Sequence, residues 1–241
     1  MPFLDAFSLS FSLLASADAS LVEIVWRSLS VSLSATAWAG LLGMIMGAWL
    51  GIRPMASWHW VLAVLNTLLA LPSVLVGLLI YLLLSRSGPL GHWGWLYTFE
   101  AMVLAQTVLL LPLVTALTRQ WVNQAHSEYG EQLMAWGAGS WMRCILLVWD
   151  LRWPLVTVWI TAFGRAVSEV GAVMIVGGNV DGFTRVMTTA IALETSKGDL
   201  PLALGLGMVL LGVVLVLHVM LALLLRKVGS NRPAMPVGVS A

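Results

Sequence analysis

Apolar and polar positions along this chain sort into five long apolar stretches with short polar breaks between them. A helix that crosses a bilayer needs about 20 mostly apolar residues. The stretches Ile24 to Ile52, Trp58 to Leu84, Pro154 to Val176 and Pro201 to Leu225 reach that length, and Glu100 to Leu117 lies at its short end. Each is expected to be a helix, because lipid offers no partner to an open run of backbone donors and acceptors. The expected fold is all-α, a polytopic membrane bundle of about five transmembrane helices. The bundle takes up residues 21–228, behind a lead-in at 1–20 and ahead of a loose tail at 229–241 rich in Gly, Ser and Pro. The lead-in carries Asp5 and Asp18 and has no basic segment, so it is expected to stay attached rather than to serve as a signal peptide.

One polar island interrupts this pattern, Asn123 to Arg152, within a loop expected over about 121–153. It contains Glu131, Gly137 and Arg143, and a polar segment of that length in so apolar a chain calls for a partner outside the bilayer. The basic residues suggest which side it faces. With the N-terminus outside, the inner segments hold Arg53, Arg119, Arg143, Arg152, Arg226, Lys227 and Arg232, and the outer ones Arg27, Arg86, Arg185 and Lys197. The excess on one side favours an N-out, C-in topology with the island in the cytoplasm. Trp26, Trp58, Trp60, Trp93, Trp95, Trp121 and Trp153 fall near expected helix ends, as interfacial aromatic belts do.

Composition agrees. Of 241 residues, 60% are hydrophobic and 10% charged, and the mean hydropathy is +0.94. Soluble domains carry about 25% charged residues. The formal net charge of +1 argues against a nucleic-acid surface. Cys144 has no second cysteine to pair with and reads as a small apolar residue. His59, His92, His126 and His218 are scattered with no metal-ligand spacing, so no metal site is expected. No Gly-x-x-x-x-Gly-Lys-Ser/Thr phosphate loop is present, so the chain is expected not to hydrolyse ATP by itself.

Several features within the apolar stretches carry chemistry or packing. Gly43, Gly47 and Gly51 are four apart, which suits close helix packing and, less readily, a pore lining. Pro72 and Pro112 each remove a backbone hydrogen bond and favour a kink. Arg165 and Glu169 are also four apart, which places them on one face of a continuous helix. Charges in a membrane face a bundle interior or a wet cavity, so this pair reads either as a gate on a hydrophilic path or as a structural ion pair. Gly177, Gly178, Asn179, Thr184, Arg185, Thr188 and Thr189 follow it. Their hydroxyls, amides and guanidinium suit an oxyanion, and they suit a plain outer turn equally. Ala190 to Ser196 reads as a short helix ending near Gly198. Two functions stay open from the residues alone. One is a permease worked by a separate ATPase; the other is an ion-coupled carrier using Arg165 and Glu169 as a relay.

The island's spacing resembles the coupling loop of importer permeases of the ATP-binding-cassette class. That pattern is Glu-Ala-Ala, three residues, Gly, nine residues, Ile-x-Leu-Pro. Here Glu131 and Gly137 take the Glu and Gly places, Gln132 and Leu133 replace the alanines, and Asp150 stands in the proline's place. The segment Gly164 to Gly198, with Arg165-Ala-Val-Ser-Glu169-Val-Gly171-Ala and Gly177-Gly-Asn179, closely resembles tungstate importer permeases; molybdate and sulfate permeases share its first part. The resemblance implies a short helix at Glu131–Gly137 docked on the ATPase, with Gly137, Ala138, Gly139 and Arg143 beside it. It implies a path or gate at Arg165, Glu169 and Gly171, with the loop of Gly177 to Thr189 along the substrate's way. It further implies two copies of the chain, cytoplasmic ATPases that bind ATP and Mg, a periplasmic or extracellular oxyanion-binding protein, and a bacterial or archaeal cytoplasmic membrane. The cargo it implies is tungstate, with molybdate, vanadate and sulfate as alternatives.

Overall fold

The computed structural model describes residues 19–53 and 58–230. Among them are nine α-helices, one short 3-10 turn and no strand: α1 (Ala19–Gly51), α2 (His59–Leu69), α3 (Ser73–Leu84), the 3-10 turn Gly91–Trp93, α4 (Phe99–Ala135), α5 (Ser140–Asp150), α6 (Arg152–Val167), α7 (Gly171–Gly177), α8 (Met187–Lys197) and α9 (Leu200–Ser230). Three of these, α1, α4 and α9, are each long and apolar enough to cross a membrane, and two bent helix pairs bring the number of candidate spans to at most five. The chain is an all-α, multi-pass membrane protein. Of the expected lead-in, residues 1–18 lie outside the described residues, as do 231–241 of the expected tail; Gly229 and Ser230 belong to α9.

The centre of the bundle is the pairing of α1 with α4, its most extensive contact. The glycines of α1 explain it. A Cβ on Gly43 would stand 2.8 Å from Val114 Cβ, one on Gly47 2.6 Å from the Thr115 carbonyl oxygen, and one on Gly51 2.8 Å from Val122 Cβ. The two backbones are therefore closer than any side chain permits, and dispersion between them supplies the attraction that lipid cannot. The glycine stripe is a packing surface. Around it Ala35, Ala39, Leu110, Val114, Val122, Leu147, Leu155, Val158 and Ala162 form one core shared by α1, α4, α5 and α6. A second core joins α3, α4 and α7, and a third joins α1, α6, α8 and α9.

Two of the expected spans are not single helices. Trp58 to Leu84 breaks at Ala70–Pro72 into α2 and α3, which meet at 97°. At about 1.5 Å per residue, their 11 and 12 residues rise only about 17 Å each, short of a hydrocarbon core of about 30 Å. Pro72 causes the break: it cannot donate to the preceding turn, and it pushes Leu71 out of helical torsions. It sits before α3 with extended torsions, φ −62° and ψ 130°. Pro112 behaves differently, buried within an uninterrupted α4. Pro154 to Val176 is likewise divided, by Ser168–Val170, between α6 and α7. The helix expected at Ala190 to Ser196 is present as α8, one turn longer, and is closed by Gly198 at φ +84°.

Candidate functional site

The polar island is not the loop its composition suggests. Its first half continues α4, which runs for 37 residues, about 55 Å, and so projects well past the apolar zone. The short helix expected at Glu131–Gly137 is therefore corrected: Glu131 is exposed on the last turns of α4, and the separate short helix is α5, after Gly137. The polarity of Asn123 to Glu131 hid the continuity, because hydropathy falls there while the helical ladder does not.

Gly137 makes the elbow between α4 and α5. Its φ is +76°, and the Gly137 amide donates to the Met134 carbonyl (2.9 Å) while the Ala138 amide donates to that of Leu133 (3.0 Å). This pair of bonds is the Schellman closure of a helix, in which the left-handed residue is best glycine. A Cβ on Gly137 would meet no atom within 4 Å, so glycine is required there for torsion and not for room. Ala138 packs onto the central core, and Gly139, extended at φ −63° and ψ 166°, opens α5.

Helix α5 is strongly two-faced. Cys144 and Leu147 are buried against α4, α1 and α6, while Trp141, Met142, Ile145, Leu146 and Trp149 face outward. With Trp136 80% and Trp141 69% exposed, the elbow presents a broad aromatic surface beyond the end of the bundle. Arg143 is half-buried behind it, donating from Nη2 to Ser140 Oγ at 3.1 Å. The chain then turns by 76° at buried Leu151 into α6.

The second region is the break between α6 and α7. Arg165 is exposed in the last turn of α6, and Glu169 lies within the break, half-buried. No ion pair joins them, which corrects the expected pairing: helical torsions end at Val167, so four-residue spacing no longer puts both on one face. The Glu169 carboxylate instead accepts from the Ala172 amide (3.3 Å) at the start of α7, and its carbonyl accepts from Thr188 Oγ1 (2.8 Å). Gln106, 4% exposed near the start of α4, donates from Nε2 to the Ala166 carbonyl (3.0 Å). The break is thus held from α4 and α8, a role for Gln106 that sequence pattern alone does not reveal. Gly171 packs α7 against Ser73 and Val74 of α3, where a Cβ would stand 2.8 Å from both side chains.

The loop after α7 uses its threonines on backbone groups, while Asn179 Oδ1 and Arg185 Nε are buried without a hydrogen-bond partner. Gly177 is buried, its added Cβ position 2.8 Å from Met102 Sδ, and Gly178 and Asn179 have φ of +67° and +51°. Thr184 Oγ1 donates to the Gly177 carbonyl and accepts from the Val180 amide, Thr189 Oγ1 donates to the Val186 carbonyl, and all three threonines, 184, 188 and 189, are buried. Arg185 pairs with Asp181 at 3.0 Å. The hydroxyls that suit an oxyanion are therefore spent on backbone carbonyls, which is turn chemistry. Arg27 of α1 reaches across to this loop, pairing with Glu23 and donating to the Gly182 carbonyl at 2.9 Å. No group of His, Cys, Asp and Glu among the described residues has metal-site geometry.

The tungstate uptake system permease protein TupB of Peptoclostridium acidaminophilum is 42% identical over 207 residues, 86% of this chain and 91% of that protein. A probable anion ABC transporter permease of Haloferax volcanii is 40% identical over 200 residues, 81% of this chain and 86% of the relative. The molybdenum transport system permease ModB of Escherichia coli is more distant, 27% identical over 193 residues, 74% of this chain and 84% of that protein. No family profile matches the chain.

Proposed function

The chain belongs to the family of ABC transporter permeases that includes the tungstate uptake permeases, and from that premise we propose that it is the membrane-spanning subunit of a tungstate importer. Two copies enclose the path in the cytoplasmic membrane of a bacterium or archaeon. Each has its N-terminus outside and its elbow in the cytoplasm. The elbow docks on a separate ATPase, which holds the ATP and Mg, so the chain itself is not an enzyme. A binding protein outside delivers the anion.

The observation that carries this reading is the α4–α5 elbow. A 37-residue helix, backed by the glycine stripe of α1, leaves the apolar zone and ends in a glycine-fixed turn with an exposed aromatic face. Such a surface, with apolar side chains displayed beyond the lipid, fits a protein partner. ATP-driven approach of two ATPases would draw the two elbows together. Because α4 is rigid and in backbone contact with α1, the displacement would pass to the whole bundle rather than dissipate at the turn. The break at Ser168–Val170 is the point where the path yields: the helical ladder is interrupted there, side chains of Gln106 and Thr188 bond the backbone on either side, and Arg165 supplies the positive charge a dianion needs. One cation with no second ligand gives weak binding, which suits passage; tight binding belongs to the delivery protein.

The test is reconstitution with the cognate ATPase and binding protein in vesicles, with tungsten measured by mass spectrometry. The expected result is ATP-dependent tungsten uptake that molybdate and sulfate compete with less well. Uptake that proceeds without ATP, or a chain that fails to co-purify with any ATPase, would overturn the proposal and favour an ion-coupled carrier.

A further inference from the structure

A cavity of about 440 Å³ opens beside the elbow, lined by Ile52, Arg53, Asn123, His126, Ser127, Met134, Ser140 and Arg143. Its size lies in the roughly 300–1,000 Å³ range of small-ligand sites. Three helices build it: the end of α1, the projecting part of α4 and the start of α5.

The chemistry of its wall is one-sided. Arg53 and Arg143 are cationic, burial and the neighbouring Arg143 charge push the His126 imidazole toward its neutral form, Asn123, Ser127 and Ser140 are neutral polar groups, and no carboxylate is among the lining residues. Glu128 and Glu131, the nearest acids in sequence on α4, are exposed and are not part of the wall. Arg143 is placed for a ligand it does not have within this chain: Nη2 is held by Ser140 Oγ, while Nε is buried with no hydrogen-bond partner. A buried guanidinium N–H without an acceptor is costly, and an anion would satisfy it. Arg53 is steadied by its stacking over Trp49 at 4.6 Å. Helix α5 begins at Ser140 with no side-chain cap on its first turn, which adds the positive end of its dipole to the same wall.

We propose that this cavity binds a tetrahedral anionic oxygen group, either a free oxyanion or the phosphate of an anionic lipid headgroup. A single group of that shape bridges Arg53, just past the end of α1, to Arg143 on α5, with Ser140 and Asn123 completing its coordination. Occupancy then ties the elbow to the end of α1, independently of whether an ATPase is docked.

The test uses the full chain, without ATPase, in nanodiscs. In phosphatidylcholine discs, tungstate and inorganic phosphate retention is measured by equilibrium dialysis with elemental analysis. In discs containing phosphatidylglycerol, lipid retained by the chain is measured by native mass spectrometry. Retention of a free oxyanion at about one per chain, or selective retention of phosphatidylglycerol, identifies the source. In either case R53Q/R143Q reduces it by about tenfold or more, and Arg143→Lys, which keeps the charge, recovers part of it. Retention unchanged in R53Q/R143Q places the anion elsewhere and overturns the proposal, as does no retention of any of the three probes by the folded wild-type chain. Transport failure in the vesicle assay would leave this binding untouched, so the two readings fail separately.

Discussion

Replacing Gly47 by alanine tests the central packing of the bundle. The new Cβ would lie 2.6 Å from the Thr115 carbonyl oxygen, 2.7 Å from Thr118 Cβ and 3.0 Å from the Arg119 amide nitrogen. Non-bonded atoms attract best at about 3.5–4.0 Å, so α1 and α4 must separate by close to 1 Å along this stretch. Two of the three opposing groups are backbone, which cannot rotate away. Overpacking of this kind costs about 1–3 kcal/mol, against a helix-propensity gain of up to about 1 kcal/mol for removing a glycine. The net expectation is a loss of about 1–2 kcal/mol. For a chain of this length that lowers Tm by roughly 2–8 °C. Gly212→Ala on α9, where an added Cβ meets nothing within 4 Å, is the control and should leave Tm unchanged or raise it slightly. The chain supplies its own reporter: Cys144 is its single cysteine and is buried, so a thiol-reactive fluorophore reads unfolding directly. A Gly47→Ala protein that melts at or above the Gly212→Ala protein would refute the close-approach argument.

Three further outcomes are expected. Gly137→Ala should cost about 1–2 kcal/mol through its left-handed torsion alone, and Gly137→Asn less; both should fold by the same thiol assay, yet Gly137→Ala should lose most of its ATPase co-purification. R165Q should abolish tungsten uptake with ATPase binding retained, and the charge swap R165E/E169R should not restore it, because the two side chains are not paired; a rescued swap would show that they are. R27Q removes the bond to the Gly182 carbonyl, so the amides around Val180 to Arg185 should exchange hydrogen faster while those of α4 do not change.

The physical signals that could be read from sequence were those with a period or a torsional demand. The apolar runs mark α1, α4 and α9, the four-residue glycine spacing marks a close helix contact without naming α4 as its partner, and Gly198 marks the end of α8; Gly137 marks a change of direction, though of α4 rather than of a separate short helix. What escaped depends on partners distant in sequence. Hydropathy drops where α4 leaves the apolar zone, yet the helix persists because Val122, Ala125 and Leu133 still have the core to bury against. Arg165 and Glu169 obey helical spacing, but α6 ends between them. Thr188, contributed from nineteen residues further along, and Gln106, from sixty residues before Ala166, take up the backbone groups freed there. The threonines of 184 to 189 have the composition of an anion site, and only the fold reveals that backbone carbonyls, of Gly177, Glu169 and Val186, already occupy them.

These features together explain why a disturbance at the elbow would not stay local. Helix α4 touches α1, α2, α3, α5, α6 and α7, so it is the element through which both short broken helices and the elbow communicate. Helices α8 and α9 join instead through α6 and α1. A membrane interior offers no hydrophobic drive to re-seat a displaced helix, so the stiffness of this hub comes from the glycine contacts of α1 and the ladder of α4 itself. A joint on the way is the Ser168–Val170 break, where the regular ladder gives way to the backbone bonds of Ser168 to Gly164 and Glu169 to Ala166 and to side-chain bonds from Gln106 and Thr188 of about 0.5–1.5 kcal/mol each. Strain delivered at Gly137 can therefore be relieved beside Arg165 and Glu169. The proposed function puts the path of the anion at the same place.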